Sequence, residues 1–214
     1  MGKIGDSLLG GTTGRTGRIV VANVYGNEIT RIRPKKRTKK PTEKQELVQT
    51  RMRQCAAFLE SYKGYACKHY GVRIGMKSCY NLAMTNLMAN FNIDNTTKTI
   101  TPDYPSLSFS KGGLLGPMPL ALASPAASAV ELSWQDNSMN NPERAADSAQ
   151  ILVAVDGELN TLFLENAAAR SEESYVANLP ATLSGKEVHV WLAFRDTEQT
   201  KVSNSVYLGS ITLT

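Results

Sequence analysis

Cysteine and histidine are scarce in this 214-residue chain: Cys55, Cys67 and Cys79 stand twelve residues apart, and His69 and His189 are the two histidines. An odd count without a Cys-x-x-Cys pair excludes a disulfide framework and the clustered ligand pairs that zinc requires. The three thiols read as small buried side chains on helical faces. No apolar run approaches the roughly 20 residues that cross a bilayer. The start, Met-Gly-Lys-Ile-Gly-Asp, has no apolar signal core or small-residue cleavage site, and Asp6 stands where a myristoylation motif requires Ser or Thr. These features predict a protein of the cytoplasm, or of a particle assembled there, with no membrane partner.

Catalytic patterns are missing as well. There is no Gly-x-Ser-x-Gly elbow, and the glycine-rich start lacks the Gly-Lys-Ser/Thr ending of a phosphate loop. Asp94, Asp103, Asp136 and Asp147 neighbour Asn, Ser or Pro, the composition of turns. His189 alternates with Val188 and Val190 and reads as a surface or interface residue; His69 reads as solvent-facing near a helix end. The expectation is no enzyme, no cofactor, no metal and no small-molecule substrate.

What is present is a division of charge. Residues 1–100 hold eighteen Lys/Arg against six Asp/Glu, and residues 101–214 hold six against thirteen, so the whole-chain +5 combines +12 with −7. The basic half peaks at Arg31, Arg33, Lys35, Lys36, Arg37, Lys39 and Lys40, seven cations in ten residues with no acid. Like charges at this density stay solvated or meet an anion.

Gly5, Gly10, Gly11, Gly14 and Gly17 predict a mobile or packing-driven arm over 1–17. Residues 18–25 and 28–33 are β-rich runs around Gly26-Asn27, the pattern of a hairpin. A lone hairpin is marginal in water. Ile19, Val21, Val24, Tyr25 and Ile29 are therefore candidate assembly residues that lie against the rest of the chain or a neighbouring subunit. Pro34 closes the second strand. Thr42 as N-cap with Gln45 three residues on predicts a helix start. Its apolar face runs through Leu47, Val48, Met52, Cys55, Phe58, Leu59 and Tyr62, with Gly64 as its stop. A second helix is expected over about 77–91. Residues 100–110 read as extended, and residues 121–129 as a small-residue linker.

Beyond that linker, six or seven short strands in roughly 90 residues match an immunoglobulin-like sandwich. The lack of a Cys-Trp-Cys pattern favours the fibronectin-like form, with Trp134 and Trp191 as core anchors. The expected fold class is α+β. An arm (1–17) and a basic hairpin-plus-helices module (18–119) precede an acidic antiparallel β-sandwich (120–214).

The Gly-rich arm, the Arg-x-x-Pro hairpin end, Pro41-Thr-Glu-Lys-Gln45, Ser110-Lys-Gly112, Trp134-x-Asp-Asn-Ser and Val202-Ser-Asn-Ser-Val-Tyr-Leu-Gly-Ser210 occur in this order. Over essentially the whole chain this resembles an uncharacterised Bacteroidota family, a domain of unknown function that brings no site residues with it. Residues 10–60 are also similar to proteins encoded among phage structural genes. Two functions are carried forward. One is an assembly protein that self-associates or docks into a larger particle; oppositely charged halves suit head-to-tail contact. The other is sequence-independent nucleic-acid binding through residues 31–40.

Overall fold

Two tight turns organise the N-terminal strands. The computed structural model describes residues 2–3, 14–36, 38 and 40–214, which fall into two compact units, Met1–Thr42 and Glu43–Thr214. In the first, β1 (Gly2–Lys3), β2 (Gly14–Thr16), β3 (Ile19–Val24) and β4 (Asn27–Ile32) pair antiparallel in the order β1-β4-β3-β2. The β3–β4 hairpin turns one residue earlier than expected. Val24 pairs with Asn27, so Tyr25 and Gly26 form the link. Their φ angles of 54° and 78° are both positive, as a type I′ turn requires to match strand twist. The Gly26 N–H donates to Asn23 Oδ1 at 2.9 Å.

Gly17, with φ 60°, opens the second turn, Gly17-Arg18, between β2 and β3. Part of the expected arm, residues 14–16, is therefore a strand; Gly5, Gly10 and Gly11 lie outside the described residues. Strand alternation separates the candidate assembly residues. Ile19 and Val21 share a face with Ile32 and Thr30, whereas Val24 and Ile29 share the other with Val20 and Ala22. Tyr25 sits in the turn, 58% exposed.

The second unit begins with α1 (Glu43–Glu60), α2 (Lys63–His69) and α3 (Cys79–Asn90), followed by the small hairpin β5 (Phe91–Ile93) and β6 (Ile100–Pro102). Helix α1 starts directly after Thr42, and Lys98 Nζ meets Glu43 Oε2 in its first turn at 2.9 Å. Gly64 does not end a helix: α1 stops at Glu60, and Gly64 lies inside α2. Ser78 caps α3, accepting from Asn81 N–H at 3.3 Å. Residues 104–106, within the segment read as extended, form a 3-10 turn.

Seven strands follow: β7 (Pro119–Ala123), β8 (Ala129–Trp134), β9 (Ser148–Val155), β10 (Thr161–Leu164), β11 (Ser174–Asn178), β12 (Glu187–Arg195) and β13 (Val206–Thr212), with the short α4 (Pro142–Ala145) before β9. They form two antiparallel sheets, β11-β8-β7 and β10-β9-β12-β13. Val130, Leu132 and Trp134 of one sheet share a core with Ile151, Val153, Val188, Val190, Leu192 and Phe194 of the other, which makes a sandwich. Strand β7 occupies part of what reads in sequence as a linker. Leu208 bulges between the partners of Val190 and Trp191, at Gly209 with φ 132°, a re-aiming device common near sheet edges.

The compact units fall differently from the sequence division at 119/120. A second core joins Phe58, Leu59, Tyr62, Tyr65, Leu87 and Phe91 of the helical segment to Leu152, Ala154, Trp191 and Ala193 on the outer face of the four-stranded sheet. The Phe58 ring meets Trp191 edge-on at 6.3 Å, a preferred aromatic geometry. Strands β9 and β12 are thereby buried on both faces, so helices and sandwich form one body.

Candidate functional site

The basic tract leaves the sheet at the Gly17-Arg18 end. Arg31 lies one residue before the end of β4, and Arg33 continues beside the turn, its N–H donating to the Arg18 carbonyl at 2.8 Å. Here Arg15, Arg18, Arg33, Lys35 and Lys36, with Gly17, Ile32 and Pro34, line a groove of 740 Å³. Among the described residues, five cations and no carboxylate border it. Glu28, the one acid among the described residues of this unit, pairs with Asn23 beside the other turn, about 13 Å along the strand from Ile32 at 3.3 Å per residue.

The structure thus brings together Arg33, Lys35 and Lys36 from the predicted set. Arg31 and Lys40 are exposed but lie outside the groove lining; Arg37 and Lys39 lie outside the described residues. Arg15 was missed because residues 1–17 read as an arm, and Arg18 because it read only as the start of a strand. Their signal was the Gly17-Arg18 dipeptide between two β-compatible runs. The register also sets Arg15, Val20 and Arg31 in one row on one face of the sheet. The two arginines are two strand spacings apart, about 10 Å. Near that row Ile32 is 77% exposed, so apolar surface adjoins the charge.

Polar groups of the second unit sit deeper than their neighbours in sequence suggest. Asp147 is buried rather than at an open turn. Its Oδ2 accepts from Arg170 Nη2 at 2.8 Å, and the same nitrogen donates to the Leu115 carbonyl at 3.0 Å. Arg170 Nη1 donates to Asn137 Oδ1, and the guanidinium lies 4.1 Å from the Phe194 ring centroid. Burial pushes Asp147 above the usual carboxylate range, partly countered by Arg170, and the same burial holds Arg170 below its ordinary value. The charge pair braces the sandwich end rather than offering an open reactive group.

His189 is likewise buried, a correction to its expected surface position. The helical layer covers its face of β12, where it stacks on Tyr104 at 3.6 Å and its Nδ1 lies 2.8 Å from the Tyr207 hydroxyl. Burial lowers its pKa below 6.5 despite Asp156, whose Oδ1 is 3.7 Å from Nε2, beyond hydrogen-bond reach. His69 is also buried, against Tyr65 at 4.7 Å. Among the described residues, neither imidazole is hydrogen-bonded to a serine, threonine or cysteine. No group of His, Cys, Asp and Glu among those residues is arranged to hold a metal ion, and no helix is long and apolar enough to cross a membrane.

A basic antiparallel sheet bearing a cationic groove, and a seven-strand sandwich backed by helices, define a mixed helix-and-strand protein. The chain belongs to a family of unknown function (DUF6266), whose model matches residues 11–209 and so includes both the groove and the sandwich. The fn3 domain of human collagen alpha-1(XX) chain is similar at 16% identity, with 47% of this chain and 86% of that chain covered and a TM-score of 0.36. The fn3 domain of human contactin 1 is similar at 11% identity, with 49% and 83% covered and a TM-score of 0.34. No curated protein matches.

Proposed function

We propose that this is a non-enzymatic structural protein that assembles with copies of itself, the basic N-terminal sheet of one copy docking on the acidic sandwich of the next. Charge complementarity is the observation that carries it. Residues 1–42 hold ten Lys/Arg against two Asp/Glu, and residues 119–214 hold five against twelve, giving +8 and −7. The exposed Ile19, Tyr25 and Ile32 supply apolar area beside that charge, and Val24 and Ile29 add to it on the opposite face. A heterologous contact of this kind repeats as a ring or filament. The same proposal includes an immunoglobulin/fibronectin-like kinship for the sandwich, a cytoplasmic site of assembly, and an origin in Bacteroidota within a phage- or mobile-element particle.

Sedimentation of the full chain across a concentration series tests it. Self-association weakened by salt and abolished by the triple change Arg33→Glu, Lys35→Glu, Lys36→Glu is expected. A monomer at every concentration, unaffected by removal of residues 1–33, overturns it.

The groove specifically favours a second use, sequence-independent binding of nucleic acid, since five cations without an acid suit a phosphate backbone. Retention on DNA or RNA should then fall steeply between about 50 and 200 mM salt and disappear with the same triple change.

A further inference from the structure

The unit from Glu43 onward carries a surplus of acid, yet one of its pockets is lined by cations. Lys68 at the end of α2, Lys111 after the 3-10 turn and Lys201 before β13 border a cavity of 470 Å³ with His69, Gly112 and Gly113. Among the described residues no carboxylate lines this cavity, and none of the three ammonium groups has an ion-pair partner. Asp196, close in sequence to Lys201, is otherwise engaged. Its Oδ1 accepts from the Thr200 and Lys201 N–H groups at 2.8 and 2.9 Å, and its Oδ2 from the Thr200 hydroxyl at 2.8 Å. Burial works against its charged form, but these bonds outweigh it and hold the carboxylate below its ordinary range.

The walls are clamped by backbone. Gly71 N–H donates to the Lys111 carbonyl at 2.6 Å, Lys111 N–H to the His69 carbonyl at 3.3 Å, and Leu114 N–H to the Val202 carbonyl at 3.0 Å. Gly112 N–H donates to Asn204 Oδ1 at 3.1 Å, and Gly112 passes so close to Val202 that a Cβ there would collide with the Val202 carbonyl oxygen. Three chain segments are thus held side by side, each presenting a lysine to one cavity of the size that small ligands occupy. Like charges so gathered repel one another, and an anion between them relieves that repulsion.

We infer that this pocket binds a phosphate group, carried by inorganic phosphate or by a small phosphate monoester. A dianion with several peripheral oxygens answers three point-charge ammonium groups better than a carboxylate does. Gly113, which has open space where a side chain would stand, lets the anion approach the backbone closely. The site lies wholly in the second unit.

His69 supplies the readout. Burial, then Arg195 and Lys68, hold its pKa below 6.5 against Glu165 and Asp196; a bound dianion stabilises the imidazolium and raises it. With two histidines in the chain, proton NMR of the full-length protein resolves the pocket imidazole beside an internal control. Sodium phosphate and glycerol phosphate, titrated separately at constant ionic strength, should shift the His69 resonance saturably and raise its pKa while His189 stays put. Binding of both, or tighter binding of one, identifies the source of the phosphate. Lys111→Gln and Lys201→Gln, both at exposed positions, should each weaken binding about tenfold, the scale of one charged hydrogen bond. The inference is overturned if neither phosphate moves His69, if acetate moves it equally, or if the lysine variants bind unchanged. It is equally overturned if a short single-stranded oligonucleotide moves His69 where both small phosphates fail.

Discussion

The two compact units solve the problem of burial in opposite ways. The second has two cores around a shared pair of strands, with Trp134, Phe194, Phe58 and Trp191 almost wholly inaccessible. In the first, Val21 is the one buried apolar residue among those described, while Ile32, Tyr25 and Ile19 remain exposed. Chains of about 40 residues rarely hold a fold by burial alone and draw on metals, disulfides or association. A sheet of that size carrying +8 gains most from a partner of opposite sign. The contrast explains why the proposed contact belongs to the first unit and the framework to the second.

The largest effect that separates the units should come from Arg170→Ala. Removing one member of a buried pair strands the Asp147 carboxylate and should cost about 3–5 kcal/mol, seen as a lower midpoint in urea. The joint change Arg170→Met with Asp147→Leu should recover most of that loss; no recovery would mean that the carboxylate is not what the guanidinium supports.

A smaller effect concerns pH. His69 and His189 both titrate below 6.5 in the folded chain, so the unfolded chain binds more protons between the folded values and 6.5. Stability of the second unit should then be full above that window and fall as pH drops through it. His189→Gln should flatten the slope of stability against pH; an unchanged slope would remove His189 from this linkage.

The smallest effect tests the division itself. Deleting residues 1–42 removes none of the described members of either core, so denaturant stability of the remaining chain should shift by no more than about 0.5 kcal/mol, as for independent sites. A cooperative loss of several times that amount would join the two units into one.

Legibility in sequence followed burial. The count of strands beyond the linker was legible because short β-rich runs alternate there with turns, even though β9 and β12, buried on both faces, present no polar face. The turn at Tyr25-Gly26 was misplaced by one residue because Gly-Asn tolerates positive φ better than Tyr-Gly does, and the cross-strand register overrides that local preference, holding Tyr25 at φ 54°. Helix α2 was lost because Gly64 signals a stop that packing of Tyr65 and Ala66 overrides. The burial of His69, His189 and Asp147 was invisible for a different reason. The covering layers come from residues far away in the chain, and no local pattern announces them. The groove was half legible: its lysines stood out as a run, whereas Arg15 and Arg18 join it only through the pairing of β2 with β3.

The edge-on meeting of Phe58 with Trp191 has a consequence for biosynthesis. About 130 residues separate the two rings, and at 5–20 residues per second a ribosome needs roughly 7–26 s to deliver the second after the first. Throughout that interval the Phe58 ring lacks its Trp191 neighbour. Slowed translation between the helices and β12 should therefore raise the tendency of the nascent chain to aggregate.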